Sequence, residues 1–323
     1  MAPEYKAGYD ERTNLLWYVA KRHFVVGLSG RKQTKTFTHH PKGIQQAVEY
    51  LQKSANVDLI VLESTGGLEI PLAKALYRAD FPVVIANPHQ THLFSLSKSL
   101  AKTDAKDAKM LASYAQMLVL YGEVDTRLYT PPTPEQAQLE ALVLRRTQLV
   151  AMRVAEKNRL AIIHASQKAS VEQLIAHFDR LIAELENAIA QATLAFDDKA
   201  KKFKDIKGIG PITTATLVSM LPELGQLKYK QIASLVGVAP HPKESGNTKW
   251  KSRCSGGRKA VRNVLYQAAN VARQHEPKFN AFYEHLRAKG KPFKVALNAC
   301  MRKLLTVINA IIRDGSQWQP PAV

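Results

Sequence analysis

Acidic residues are scarce in this chain: 27 Asp and Glu stand against 46 Lys and Arg, a formal net charge of +19. An excess of that size, with an isoelectric point near 9.8, excludes a polycationic partner and favours polyanions, onto which such a chain condenses by releasing their counterions. Nucleic acid is the first partner to consider, with a ribosome-associated or merely soluble basic protein as the alternative on charge alone. Cysteine is nearly absent. Cys254 and Cys300 lie far apart and match no metal or disulfide spacing, which excludes a disulfide framework and leaves two packing thiols in a reducing cytoplasm. No apolar run approaches the roughly 20 residues that span a bilayer, and MAPEYKAGYDERT lacks the apolar segment of a signal peptide, so a soluble, cytoplasmic protein is expected. Internal repeats and low-complexity tracts are absent as well.

What is present organises into blocks. The 323 residues exceed what one compact core usually organises, so two or three domains are expected. The runs YKAGYD, LLWYVAKRHFVVGL and KQTKTFTHH, separated by the turn signals ERTN and SGRK, predict a three-stranded antiparallel start. PKGIQQAVEYLQKS has helical spacing, NVDLIVLES is the continuous apolar run of a strand buried on both faces, LEIPLAKALYRAD is helical and FPVVIANP is a further buried strand. With a helical stretch near 98–120, the order is that of a ribonuclease-H-like layer. Three prolines in YTPPTPEQAQ mark a linker. Residues 134–198 have helical spacing and no interior Pro or Gly, which predicts a long helical hairpin or coiled coil acting as spacer or oligomerisation arm, or else an ordinary two-helix bundle. FKDIKGIGPITTATLVSML has the form of a helix-hairpin-helix, with Gly208 and Gly210 opening the turn and the next helix start able to accept a phosphate. The expected domains are 1–125, 126–200 and 201–323.

The acids are most informative where they are least needed for solubility. Asp104 and Asp107, three apart among Lys102, Lys106 and Lys109, share a helix face and repel unless a cation lies between them; a solvated helix face is the plainer reading. A hard cation such as Mg²⁺ needs further oxygens. Glu63, where the strand DLIVLES opens into Thr65-Gly66-Gly67, supplies one at the sheet's carboxyl edge, and Asp10 in AGYD supplies another. Four acids on three elements would hold one or two metals that orient a phosphate for in-line displacement. Histidines such as His39, His40, His89 and His92 show no ligand pattern and read as surface or packing.

In the last third, Ser245 sits in a loop between Pro240, Pro242 and Gly246, followed by Lys249, Lys251, Arg253, Arg258, Lys259 and Arg262. A cationic surround lowers the cost of deprotonating a serine nucleophile, but a phosphate-binding loop needs the same lysines. Trp250 is either a stacking platform or a core anchor.

Three stretches together, IVLESTGGLEIPLAKALYRADFPVVIANP, KTDAKDAKMLASYA, and IKGIGPITTATLVSML with LVGVAPHPKESGNTKWKSRCSGGRKAVRNVLYQAA, resemble the DEDD transposases, the bridge-RNA-guided recombinases of the insertion sequence 110 family, whose relatives include pilin-gene invertases. The resemblance implies a RuvC-like N-terminal domain with an Asp-Glu-Asp-Asp tetrad, a coiled-coil arm and a helical C-terminal transposase domain. Glu63 matches the tetrad glutamate, Asp104 and Asp107 its paired aspartates, and Ser245 the nucleophile. It also implies Mg²⁺, DNA and a noncoding guide RNA as partners, and a dimer or tetramer whose active sites combine domains of different protomers. The chain departs from the family at the first aspartate. One register puts Tyr18 in that place and cripples the metal site; the other uses Asp10, and is preferred here because it leaves three strands before the first helix and gives the sheet a carboxylate.

Overall fold

The computed structural model describes residues 13–19, 21–28, 34–54, 57–96, 104–122, 124, 127–245, 248–254 and 256–318; of these, 13–19, 28, 54, 104–109, 111, 112, 241–245 and 248–252 are described as backbone. The chain divides into two compact units, Met1–Pro131 and Pro132–Val323.

The first unit is a mixed sheet with helices on both faces. Strands β1 (Thr13–Val19), β2 (His23–Leu28) and β3 (Thr34–Thr38) precede helix α1 (Pro41–Ser54), then β4 (Val57–Glu63), α2 (Ile70–Arg78), β5 (Val83–Ala86), α3 (Pro88–Leu96) and α4 (Asp104–Leu120). The sheet order is β3-β2-β1-β4-β5, with β1, β2 and β3 antiparallel and β1, β4 and β5 parallel. Strand β4 reads as a continuous apolar run because both its faces are covered. Ile60 and Leu62 enter one core with Phe24, Phe37, Leu51, Leu72 and Leu76, whereas Leu59 and Val61 enter another with Tyr114, Ala115 and Leu118 of α4.

The strand boundaries differ from expectation. LLWYVAKRHFVVGL is not one strand but the hairpin β1–β2, paired from Leu15↔Leu28 to Val19↔Phe24. The basic segment around Lys21 and Arg22, both exposed, interrupts the apolar alternation there, although it carries no Gly or Pro to announce a turn. Thr13 and Asn14, read as turn residues, belong to β1. The run YKAGYD lies outside the described residues.

The second unit is helical. Helices α5 (Pro134–Leu160) and α6 (Lys168–Thr193) form the long hairpin, antiparallel as the pairs Arg146–Glu186 and Arg153–Asp179 require, each 2.6 Å. Thr133 caps α5 by accepting from Gln136 N at 3.2 Å, and Pro134 stands in the first turn, where its missing N–H costs nothing. At about 1.5 Å per residue, α5 runs roughly 40 Å. The base of the hairpin is rooted in the globular core, where Leu139 and Val143 of α5 and Ile189 of α6 join Phe203, Leu265, Phe279 and Leu304.

After α7 (Asp197–Ala200), residues 201–207 form successive turns, so no long helix precedes Gly208 as a helix-hairpin-helix would have it. Then come α8 (Pro211–Met220), α9 (Tyr229–Val236), the ribbon β6 (His241–Ser245) and β7 (Thr248–Arg253), α10 (Lys259–His275), α11 (Pro277–Ala288) and α12 (Phe293–Asp314). Buried Asn309 on α12 accepts from Gly225 N at 2.8 Å and donates to Leu227 O at 2.9 Å, fixing the loop before α9. Contrary to the sequence expectation, α12 is long and apolar enough to cross a membrane by length and composition. Half of that span is buried in the core of this unit, through Leu297, Cys300, Leu304, Leu305 and Ile308, which is how a central helix of a globular domain passes the same test.

Candidate active site

Three of the four predicted acid positions fall on one face of the sheet. Side chains alternate along a strand, so Glu63 stands on the face of Leu59 and Val61, the face covered by α4. On α4, Tyr114, Ala115 and Leu118 pack against that face. Position 107 lies two and three helical turns before Tyr114 and Leu118, and position 104 three turns before Ala115, so both aspartates fall on the sheet-facing stripe. Asp104 is also the first residue of α4. Strand end and helix start thus bring Glu63 and positions 104 and 107 to one side of the same layer.

The neighbour of Glu63 across the sheet is informative. On one side Glu63 pairs with Ala86 of β5; on the other, the β1–β4 register runs Leu16↔Val61, Trp17↔Leu62, and its next step sets position 18 beside Glu63 on the same face. That position is Tyr18. Asp10 lies outside the described residues. A phenol is a poor ligand for a hard cation, so the acids at described positions on this side of the layer whose chemistry fits a divalent metal are Glu63, Asp104 and Asp107. Among the described side chains no three His, Cys, Asp or Glu form a metal-holding group.

A fifth acid escaped the sequence reading. Glu69, at the start of α2, is 3% exposed, and its carboxylate accepts from Ser64 Oγ (3.0 Å), Thr65 N (2.9 Å), Thr65 Oγ1 (3.2 Å) and Gly67 N (3.0 Å). Burial is the largest influence on its acidity and opposes ionisation. The hydrogen bonds from the amides of Thr65, Glu69 itself and Gly67 and from the Ser64 hydroxyl together outweigh it and hold the carboxyl below the usual glutamate range. Gly66 and Gly67, at φ 72° and 98°, let the turn close around that carboxylate.

In the second unit Ser245 is not in an open loop. It ends β6, paired with Thr248 of β7, and so stands at the tip of a two-stranded ribbon. The register sets Lys249 opposite Glu244 and Trp250 opposite Lys243, on alternate faces of β7, and a register irregularity then brings Arg253 opposite His241. Arg253 and Lys259 are exposed. Arg258 is committed internally, bidentate to Glu223 at 2.5 and 2.6 Å and bonded to Met220 O at 2.9 Å, while Arg262 donates to Gly256 O. Gly208, at φ 98°, has no room for a side chain, since a Cβ would lie 2.3 Å from Ala268 O; Gly210 caps α8 and faces open space.

Two family models match the chain: one described as a transposase over residues 19–163, the other as the transposase IS116/IS110/IS902 family over residues 200–284. The chain belongs to the IS110 family of transposases. The transposase is 28% identical over 294 residues to a pilin gene-inverting protein of Moraxella bovis, covering 88% of this chain and 89% of the relative, and equally to its counterpart in Moraxella lacunata. An insertion element IS116 protein from Streptomyces clavuligerus is 27% identical over 184 residues, 56% of this chain and 44% of the relative. The family match to the transposase begins at residue 19, directly after Tyr18 and nine positions past Asp10. The enzyme is a DNA transposase or recombinase.

Proposed function

We propose that the transposase is a site-specific recombinase that cuts and rejoins DNA through a covalent serine intermediate. In this reading the Ser245 oxygen bonds to a DNA phosphorus as one phosphate ester bond breaks; the hydroxyl proton passes to a nearby base, and the displaced strand leaves as a free hydroxyl. The retained ester energy lets a second strand hydroxyl attack the phosphoserine and restore an intact backbone. Glu63, Asp104 and Asp107 would hold Mg²⁺, which supplies polarisation of the phosphate and neutralisation of developing charge. The basic residues Lys249, Lys251, Arg253 and Lys259 bind and orient the DNA backbone, with the α8 start at Gly210 as a further phosphate contact.

The observation that carries this reading is the common placement of Glu63 and positions 104 and 107 on one sheet face in a chain of this family. The sheet order supports a ribonuclease-H-like catalytic domain over 1–125, the hairpin an arm over 126–200, and the ribbon and helices a serine-bearing domain over 201–323. A guide RNA and a dimer or tetramer acting in the cytoplasm complete the proposal, supported by the resemblance and by the +19 charge. The test incubates purified protein and copurified RNA with labelled element-end DNA and Mg²⁺ on a denaturing gel. A protease-sensitive protein–DNA adduct that disappears in Ser245→Ala and in Asp104→Asn supports the reading; cleavage that survives Ser245→Ala makes the enzyme a hydrolytic nuclease instead.

Tyr18 favours a second reading, a relative that binds nucleic acid with little cleavage because its fourth ligand is missing. Strand cleavage that rises in Tyr18→Asp would support it, and full wild-type cleavage that is lost in Asp10→Asn would exclude it.

A further inference from the structure

We propose that Glu69 is a positioning residue for Glu63: its buried carboxylate clamps the turn that follows β4 and so fixes the backbone from which Glu63 reaches the metal site. The proposal rests on the reading of Glu63 as a ligand. Thr65-Gly66-Gly67 after a parallel strand resembles a phosphate-cradling loop, but two of its amides, Thr65 N and Gly67 N, point inward to Glu69. The carboxylate fills the place an anion would take. Glu69 is also unsuited to bind the metal itself. Oε2 accepts three hydrogen bonds and Oε1 one, so most of the carboxylate's acceptor capacity is committed to the turn.

The clamp is coupled to the site through one residue. Ser64, next to Glu63, donates its hydroxyl to Glu69 and its amide to Ala86 O at 3.1 Å, and Ala86 is the partner of Glu63 in the sheet. Glu63 therefore hangs between a strand pairing on one side and a charge-assisted turn on the other. Carboxylates of this kind, which act on a metal through its ligand, change metal affinity by roughly 10–100-fold when altered.

The test measures Mn²⁺ affinity of the full-length protein by electron paramagnetic resonance, together with deuterium uptake of the 64–69 segment, for wild type, Glu69→Gln, Glu69→Asp and Glu63→Gln. Glu69→Gln turns an amide donor toward Thr65 N or Gly67 N. It is expected to speed exchange in 64–69, weaken Mn²⁺ roughly 10–100-fold and raise the Mg²⁺ needed for half-maximal cleavage in proportion, with the rate at saturating Mg²⁺ within about threefold of wild type. Glu69→Asp should recover part of the affinity. Should Glu69→Gln not fold, Ser64→Ala with Thr65→Val removes two of the four donors and must shift Mn²⁺ affinity in the same direction by a smaller factor. Faster exchange in 64–69 with unchanged Mn²⁺ affinity would overturn the positioning role. Unchanged Mn²⁺ affinity in Glu63→Gln would instead overturn the metal-site reading on which it rests.

Discussion

The two ends of the proposed chemistry are held in different ways. Glu63 terminates a strand paired on both edges, by β1 and β5, with Leu59, Ile60, Val61 and Leu62 all 0% exposed and a charge-assisted turn directly behind it. Ser245 terminates a strand paired on one edge only, in a two-stranded ribbon, an element marginal by itself in water. The difference suggests a division of labour. The acidic end is set by folding, whereas the serine end takes its final geometry from contacts beyond its own sheet.

The largest expected effect follows from that contrast. Glu63→Gln should slow strand cleavage on the order of a thousandfold while DNA affinity in a filter-binding assay stays near wild type, because affinity comes from Lys and Arg contacts with phosphate. Equal losses of both would mean that Glu63 is structural. Next, Leu62→Ala should cost about 3 kcal/mol of stability in urea unfolding, since it opens a cavity in the dry side of β4. Lys251→Ala on the ribbon should leave the unfolding midpoint unchanged but lower the slope of log K against log salt by about one. If Lys251→Ala destabilised the protein as much as Leu62→Ala, the ribbon would be as firmly built in as the sheet and the comparison would fail.

The smaller effects separate binding arginines from structural ones and acids from their surroundings. Arg258→Ala should destabilise by about 1 kcal/mol, because its partly exposed pair with Glu223 also anchors Met220 O, and should change DNA affinity less than Lys259→Ala does. Glu69 gives a pH signature. Its folded-state acidity lies below the ordinary glutamate range, so its contribution to stability is complete above that range and is lost as pH falls through the folded value. Wild-type unfolding free energy should therefore drop more steeply in acid than that of Glu69→Gln. Parallel acid limbs would show that the clamp contributes no stability.

Much of the acidic end was legible in the sequence. NVDLIVLES announced a strand buried on both faces because every residue from Leu59 to Leu62 meets a core, and the spacing of Asp104 and Asp107 placed them on one stripe of α4. Other features left weaker marks. The β1–β2 turn uses Lys21 and Arg22 in place of Gly or Pro, so two strands read as one and the β1–β4 register, which runs to Trp17↔Leu62, was hidden. The ribbon is disguised because its residues, as in TKWKSR, are basic or polar apart from Trp250 and give no apolar period. Arg258 looked like its basic neighbours, and only the fold shows Glu223 and Met220 O waiting for it. Glu69 left only a faint mark, an acid shortly after Ser64 and Thr65 across two glycines, and its burial shows only in the fold.

The most direct test of the account is the covalent adduct itself, read on a denaturing gel with Mg²⁺ and labelled element-end DNA for wild type, Ser245→Ala and Glu63→Gln. The account predicts a protease-sensitive adduct in wild type that is absent from both variants while each still binds DNA. Cleaved DNA without adduct, persisting in Ser245→Ala and lost in Glu63→Gln, would contradict it by assigning the whole reaction to the acidic sheet edge.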